Sequence, residues 1–174
     1  MGRFEIQSET VFDYEREIVW DFANNPNNWV SVFVQVPQVV GMHKDTKFPL
    51  EFGDTFSEKV SLPPNSYLSH WTLIRTKKPY QFVFQQQDGI GAKEDGTSEG
   101  SQGFTTIAYR FEEVGDGKTL FVRTLTCEMP RGVGIPDDLL TVCARPDGIE
   151  RYHDAIKKEL DEKHGRREEQ IDEE

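Results

Sequence analysis

The chain has 174 residues, 36% of them hydrophobic and 11% aromatic, which is enough apolar material for one core and too little length for two comfortable domains. A formal net charge of −11 opposes phosphate binding, so a nucleic-acid partner is not expected. Two cysteines without paired spacing, no secretion-type start and no apolar run near the roughly 18 residues that cross a bilayer predict a cytoplasmic protein with no membrane contact and no metal.

In chain order, Phe4 to Phe12 alternates like a strand, and Asp13 stands where a helix N-cap would, with Glu15 and Glu17 in the first turn. Ile18, Val19 and Phe22 give that short helix its apolar side; Asn24-Asn25-Pro26 ends it before a second short helix carrying Trp29, Val32 and Phe33. From Gln35 to Thr126 the period is mostly two, and breaks at 45–54, Pro63-Pro64-Asn65, Lys77-Lys78-Pro79 and Gly115-Asp116-Gly117 divide the stretch into six further strands. The longest break, Gly89 to Gly103, is polar and reads as a mobile lid. Pro136-Asp137-Asp138 opens a helix, Pro146-Asp147-Gly148 interrupts it, and Ile149, Tyr152, His153, Ile156 and Leu160 recur at helical spacing. Residues 1–163 are therefore expected to form one α+β domain, a curved antiparallel sheet of seven strands around a long C-terminal helix. Residues 164–174 are expected to be an acidic, disordered tail that contributes nothing to ligand binding.

This order resembles the helix-grip fold of the SRPBCC superfamily, which includes START lipid-transfer domains, birch-pollen-allergen relatives and polyketide aromatases and cyclases. The resemblance spans roughly residues 3 to 163. Its carriers are Val19-Trp20 with Trp29 nine residues later, Gly53 before the third strand, Lys78-Pro79 between strands four and five, and the Gly-rich turn before Lys118-Thr119. It implies an apolar cavity between sheet and helix, but the fold alone does not choose among carriers, receptors, lyases and cyclases.

Pairing Leu62 with Leu68 across the Pro63-Pro64 turn places Phe56, Glu58, Val60, Leu62, Leu68, His70, Thr72 and Ile74 on one face, expected inward. Carried through the next turn, the same register sets Phe82 near Ile74, Phe84 near Thr72 and Gln86 near His70. Glu58, His70, Thr72 and Gln86 then become inward polar exceptions, and ionisable groups in an apolar concavity are the natural site candidates. Strand six should turn Thr105, Ile107, Tyr109 and Phe111 inward. Strand seven stays open: a three-residue turn puts Phe121, Arg123 and Leu125 inside, a two-residue turn puts Leu120, Val122 and Thr124 there. His43 and His164 read as surface residues, and His153 as a helix-edge packing residue.

The expected function is a cofactor-independent enzyme of the cyclase, dehydratase or lyase type acting on an aromatic or polyketide-like molecule. His70 would be the base and Glu58 the acid, with Thr72, Phe84, Gln86, Tyr109 and Tyr152 binding the substrate. The alternative is a carrier or sensor of a small hydrophobic ligand, favoured if Glu58 and His70 do not converge. A partner-binding module would instead need a filled cavity and an exposed apolar patch. Ligand identity and oligomeric state stay open.

Overall fold

A computed structural model describes residues 2–32, 38–40, 42, 45–144 and 146–165, without the side chains of 38–40, 142–144 and 146–148. His43 and most of the acidic tail thus lie outside the described residues.

The period-two stretches form seven strands: β1 (Gly2–Phe12), β2 (Gln38–Val40), β3 (Thr55–Leu62), β4 (Asn65–Lys77), β5 (Gln81–Gln87), β6 (Phe104–Glu113) and β7 (Thr119–Met129). They make one sheet in the order β1-β7-β6-β5-β4-β3-β2, with every neighbouring pair antiparallel. The strands from β3 to β7 are joined in chain order, β5 to β6 by the long 88–103 segment and the others by short turns, and β1 closes against the last strand. Between β1 and β2 lie α1 (Arg16–Asn24), a single 3-10 turn (Pro26–Asn28) and α2 (Trp29–Val32). After the sheet come α3 (Asp137–Ala144) and α4 (Pro146–His164). Pro146 at the first position of α4 fits a restart, since its missing N–H costs nothing there.

Helix α4 buries Ile149, Tyr152, His153, Ile156 and Leu160, the stripe its spacing predicts. Glu15, not Asp13, occupies the N-cap position of helix α1, without a side-chain cap bond, and the Asp13 carboxylate instead pairs with Lys118 at 3.1 Å. Trp29 packs edge-on against Phe56 and Phe84 at 5.3 and 5.6 Å between ring centroids, and donates its indole N–H to the Ala23 carbonyl. Phe82, Phe111 and Phe121 extend this aromatic layer beneath α1 and α2. That end of the sheet is a solid core.

The β3–β4 register differs from the expected one. Leu62 pairs with Asn65, Val60 with Tyr67, Glu58 with Ser69 and Phe56 with Trp71. Pro63 and Pro64 alone form the turn, so β4 begins earlier than the spacing suggested and its two faces exchange. Tyr67, Ser69, Trp71 and Leu73 face inward, whereas His70, Thr72 and Ile74 belong to the outer face. The physical reason is bulk: the inward set buries Trp71 and Leu73 at 5% and 0% exposure, a larger apolar gain than Ile74 and Leu68 could give. An irregularity between Leu73 and Arg75 then restores alternation, so β5 turns Phe82, Phe84 and Gln86 inward as expected.

The segment expected to be a loose lid has defined structure. Ile90 bridges Ser101, Lys93 bridges Tyr67, and the Leu68 and Glu94 amides donate to the Ala92 and Ser66 carbonyls. Glu94 also pairs with Lys59. Two glycines permit this folding back. A Cβ on Gly100, at φ +75°, would meet the Gly89 backbone at 2.5 Å, and one on Gly103 would meet the Glu128 carbonyl oxygen at 2.6 Å.

Candidate functional site

Between the sheet and the C-terminal helices the aromatic layer gives way to a cavity. Its volume is about 80 Å³. Its walls are mostly apolar: Val60 from β3, Trp71 from β4, Ile107 from β6, Leu125 from β7, and Trp29 as its floor. Towards the mouth lie Ile90 from the folded-back loop, Ile135 before α3, and Leu139 and Leu140 on α3. This is the end of the sheet where the β3–β4 turn, the 88–103 segment and the β7–α3 connection meet. Helix α3 is held there by Asp138, whose carboxylate accepts bonds from the Tyr67 hydroxyl at 2.9 Å and the Asn65 amide at 2.8 Å.

The polar lining is sparse. Glu58 projects from β3 into the cavity at 8% exposure, and the indole N–H of Trp71 donates to its Oε1 at 3.1 Å. Burial pushes the Glu58 carboxyl up to about 7, although the Trp71 bond and the charge of Arg123 both pull it down. Desolvation outweighs two favourable partners, so near neutrality this carboxyl is as often protonated as ionised.

Arg123, whose facing the spacing left open, points inward. Residues 114–118 form the β6–β7 turn, and Tyr109 pairs with Arg123 as Phe111 does with Phe121, which keeps all four on one face. The guanidinium is 5% exposed, lines the cavity and lies 5.6 Å from the centroid of the Tyr152 ring. Tyr152 and Tyr109 are hydrogen-bonded to each other; burial, then the Tyr109 contact, holds the Tyr152 phenol well above its ordinary range.

Of the residues expected at the site, the structure brings Glu58, Gln86 and Tyr109 to the cavity wall, with Tyr152 behind Arg123. Gln86 is partly committed, because its amide donates to the Gly89 carbonyl at 3.2 Å and so ties down the start of the mouth segment. Phe84, fully buried, belongs to the aromatic layer beside the cavity rather than to its lining. His70 and Thr72 are corrections. His70 is exposed on the outer face, where its Nδ1 meets the Ser57 hydroxyl at 2.6 Å, and Thr72 lies on the same outer side. The shift of the β4 register carries both out of the cavity, and the proposed pairing of an inward histidine with Glu58 goes with it.

Sequence reasoning missed Trp71, Ser69 and Cys127 on the wall. Scoring the two faces of β4 by bulk, rather than through an assumed turn length, would have turned Trp71 inward. His153 packs on α4 against Phe121, with its Nε2 3.2 Å from the Ser8 hydroxyl; burial, then the charge of Arg123, pushes it down to about 4. The imidazole is therefore neutral at physiological pH.

No family model matches the chain. It is 26% identical over 127 residues to "Penitrem biosynthesis cluster 1 protein I" of Penicillium ochrochloron, an alignment covering 72% of this chain and 76% of that one. Among solved structures it is similar to a START superfamily protein from Mycobacterium smegmatis, at a TM-score of 0.64 and 10% identity, covering 92% of this chain and 99% of that one. It is likewise similar to the Zhui aromatase/cyclase from Streptomyces sp. R1128, at a TM-score of 0.62 and 12% identity, covering 92% and 94%. At such identities the likeness is one of fold: the chain has the helix-grip fold.

Proposed function

We propose that the cavity binds a small, mainly apolar organic molecule and that Glu58 moves a proton on it, in cofactor-independent chemistry of the cyclase or dehydratase kind. The observation that carries this reading is Glu58 itself, a carboxyl on an apolar cavity wall, pushed up to about 7. A group that titrates near the working pH is suited both to give and to take a proton, and structural carboxylates are seldom placed so. Trp71 holds one oxygen of the carboxyl, which leaves the other to face the occupant. The Tyr109 hydroxyl would orient an oxygen of the substrate, while Ile107, Leu125 and Trp29 would enclose its carbon skeleton. The likeness to an aromatase/cyclase and to a biosynthesis-cluster protein agrees with this substrate class.

A second reading, a carrier or sensor that leaves its ligand unchanged, is favoured by one observation. His70 lies outside the cavity, so the acid and base pair expected within reach of one ligand is reduced to a single carboxyl.

The experiment begins with native mass spectrometry of protein purified from its own host, to identify a bound small molecule. Conversion of that molecule is then followed with the wild type, Glu58→Gln and His70→Gln. The enzyme reading expects Glu58→Gln to lose roughly 100-fold or more in turnover while binding changes little, and His70→Gln to match the wild type. Release of the ligand chemically unchanged by all three proteins would establish the carrier instead.

A further inference from the structure

Two polar groups on the wall meet the cavity rather than each other. Glu58 on β3 and Ser69 on β4 are direct cross-strand partners, both turned inward, at 8% and 9% exposure. Opposed residues of an antiparallel pair hold their Cβ atoms about 5 Å apart, near enough to share one small group. Yet the Ser69 hydroxyl bonds neither to Glu58 nor to any other described residue, and of the two Glu58 carboxyl oxygens only Oε1 is engaged, by the Trp71 indole at 3.1 Å. A buried polar group left unbonded is costly, so each of these two calls for a partner that enters the cavity.

The other uncharged polar side chains of the lining already have partners. The Gln86 amide donates to the Gly89 carbonyl, the Thr105 hydroxyl donates to the Cys127 sulfur at 3.5 Å, and Tyr109 is bonded to Tyr152. Ile107, Leu125, Leu139 and Leu140 offer a ligand no side-chain hydrogen bond at all. An oxygen on the occupant is therefore best met at Ser69 and Glu58, with the carbon skeleton lying against the aliphatic residues.

Resting on the reading of the cavity as a ligand site, we propose that Ser69 and Glu58 together seat one uncharged oxygen of the occupant, a carbonyl when Glu58 carries its proton and a hydroxyl when it does not. The choice follows from counting donors. Ser69 can donate or accept. A protonated Glu58 adds a second O–H, and two donors suit the two lone pairs of a carbonyl oxygen. An ionised Glu58 only accepts, so the seat then offers one donor and one acceptor, the complement of a hydroxyl. With the Glu58 carboxyl pushed up to about 7 by burial, both forms of the seat are present near neutrality.

The other groups around the pair do not supply this switch. Trp71 on β4 is an uncharged donor, and Arg123 on β7 keeps its charge throughout, pulling Glu58 down without reversing the effect of burial. Burial pushes up the Tyr152 phenol on α4, which is bonded to Tyr109 on β6, and also the Cys127 thiol on β7. His153 on α4 is pushed down to about 4, chiefly by burial. At the rim, burial works against Asp138 on α3, but the bonds from Asn65 and Tyr67 hold its carboxyl below the ordinary value.

The test uses three probes of nearly one shape, acetophenone, 1-phenylethanol and ethylbenzene, titrated into the full chain at pH 6 and pH 8.5 and followed by amide NMR shifts. Ser69→Ala should weaken the ketone and the alcohol by roughly fivefold or more and leave ethylbenzene unchanged. In the wild type the preference for ketone over alcohol should fall by roughly tenfold from pH 6 to pH 8.5. Glu58→Gln, whose amide donates and accepts at either pH, should abolish that change. Binding of all three probes untouched by Ser69→Ala would overturn the shared seat, and so would a ketone-to-alcohol preference that does not move with pH; either result leaves the cavity reading standing. Failure of all three probes to bind the wild type would overturn both.

Discussion

At the scale of single residues, two buried titrating groups pull the stability of the protein in opposite directions. The Glu58 carboxyl moves from an ordinary 4.5 to about 7 on folding, so the folded state binds the extra proton. Its contribution is fully present below pH 4.5 and is lost as pH rises through 7, a change on the order of 3 kcal/mol. His153 moves from 6.5 down to about 4, so its contribution is present above pH 6.5 and is lost as pH falls through 4. Between pH 4.5 and 6.5 the two slopes oppose each other. Relative to the wild type, Glu58→Gln should therefore gain stability as pH rises from 4.5 to 7, and His153→Gln should lose stability as pH rises from 4 to 6.5. Urea denaturation across this range reads both signs, and a difference from the wild type that does not vary with pH would contradict the corresponding assignment. Neither slope was legible in the sequence. Alternation placed Glu58 inward but gave no hint of Trp71 beside it, and the facing of Arg123 hung on the span of one turn.

At the scale of elements, β4 shows where legibility ends. Which face of a strand is apolar can be read from its residues, but register is inherited from the turn before it, and an assumed longer turn at Pro63-Pro64 moved His70 and Thr72 to the wrong side. Strand β6 was read correctly because Ile107, Tyr109 and Phe111 contrast sharply with Arg110 and Glu112. The mouth is built from pieces that the sequence marked as breaks, and its order comes from contacts at a distance. Chief among these is the clasp between Tyr67 on β4 and Asp138 on α3. Tyr67→Phe removes the hydroxyl from that carboxylate and should cost about 1–2 kcal/mol. Amide hydrogen exchange should quicken in α3 far more than in β6 and β7. Uniform quickening throughout the chain would show that the clasp supports the whole fold rather than the mouth.

At the scale of the whole molecule, the architecture was legible because one long amphipathic helix and a run of short strands admit few packings. What the sequence could not show is how the interior divides. Twelve phenylalanines could have filled it from end to end. Instead the aromatic layer crowds beneath α1 and α2, where Trp29, Phe56, Phe82 and Phe84 stack edge to face. The other end is left to mixed aliphatic and aromatic walls around Glu58 and Arg123, less tightly filled. That segregation makes a closed floor and an open mouth, and it sets one carboxyl in surroundings that keep it poised between its two states. No helix among the described residues is long and apolar enough to cross a membrane. The proton affinity of Glu58 is measured directly by carbon-13 NMR of the glutamate carboxyls, with Glu58→Gln assigning the resonance. A midpoint near 7 is expected for this carboxyl on its apolar cavity wall, and a midpoint near the ordinary 4.5 would contradict it.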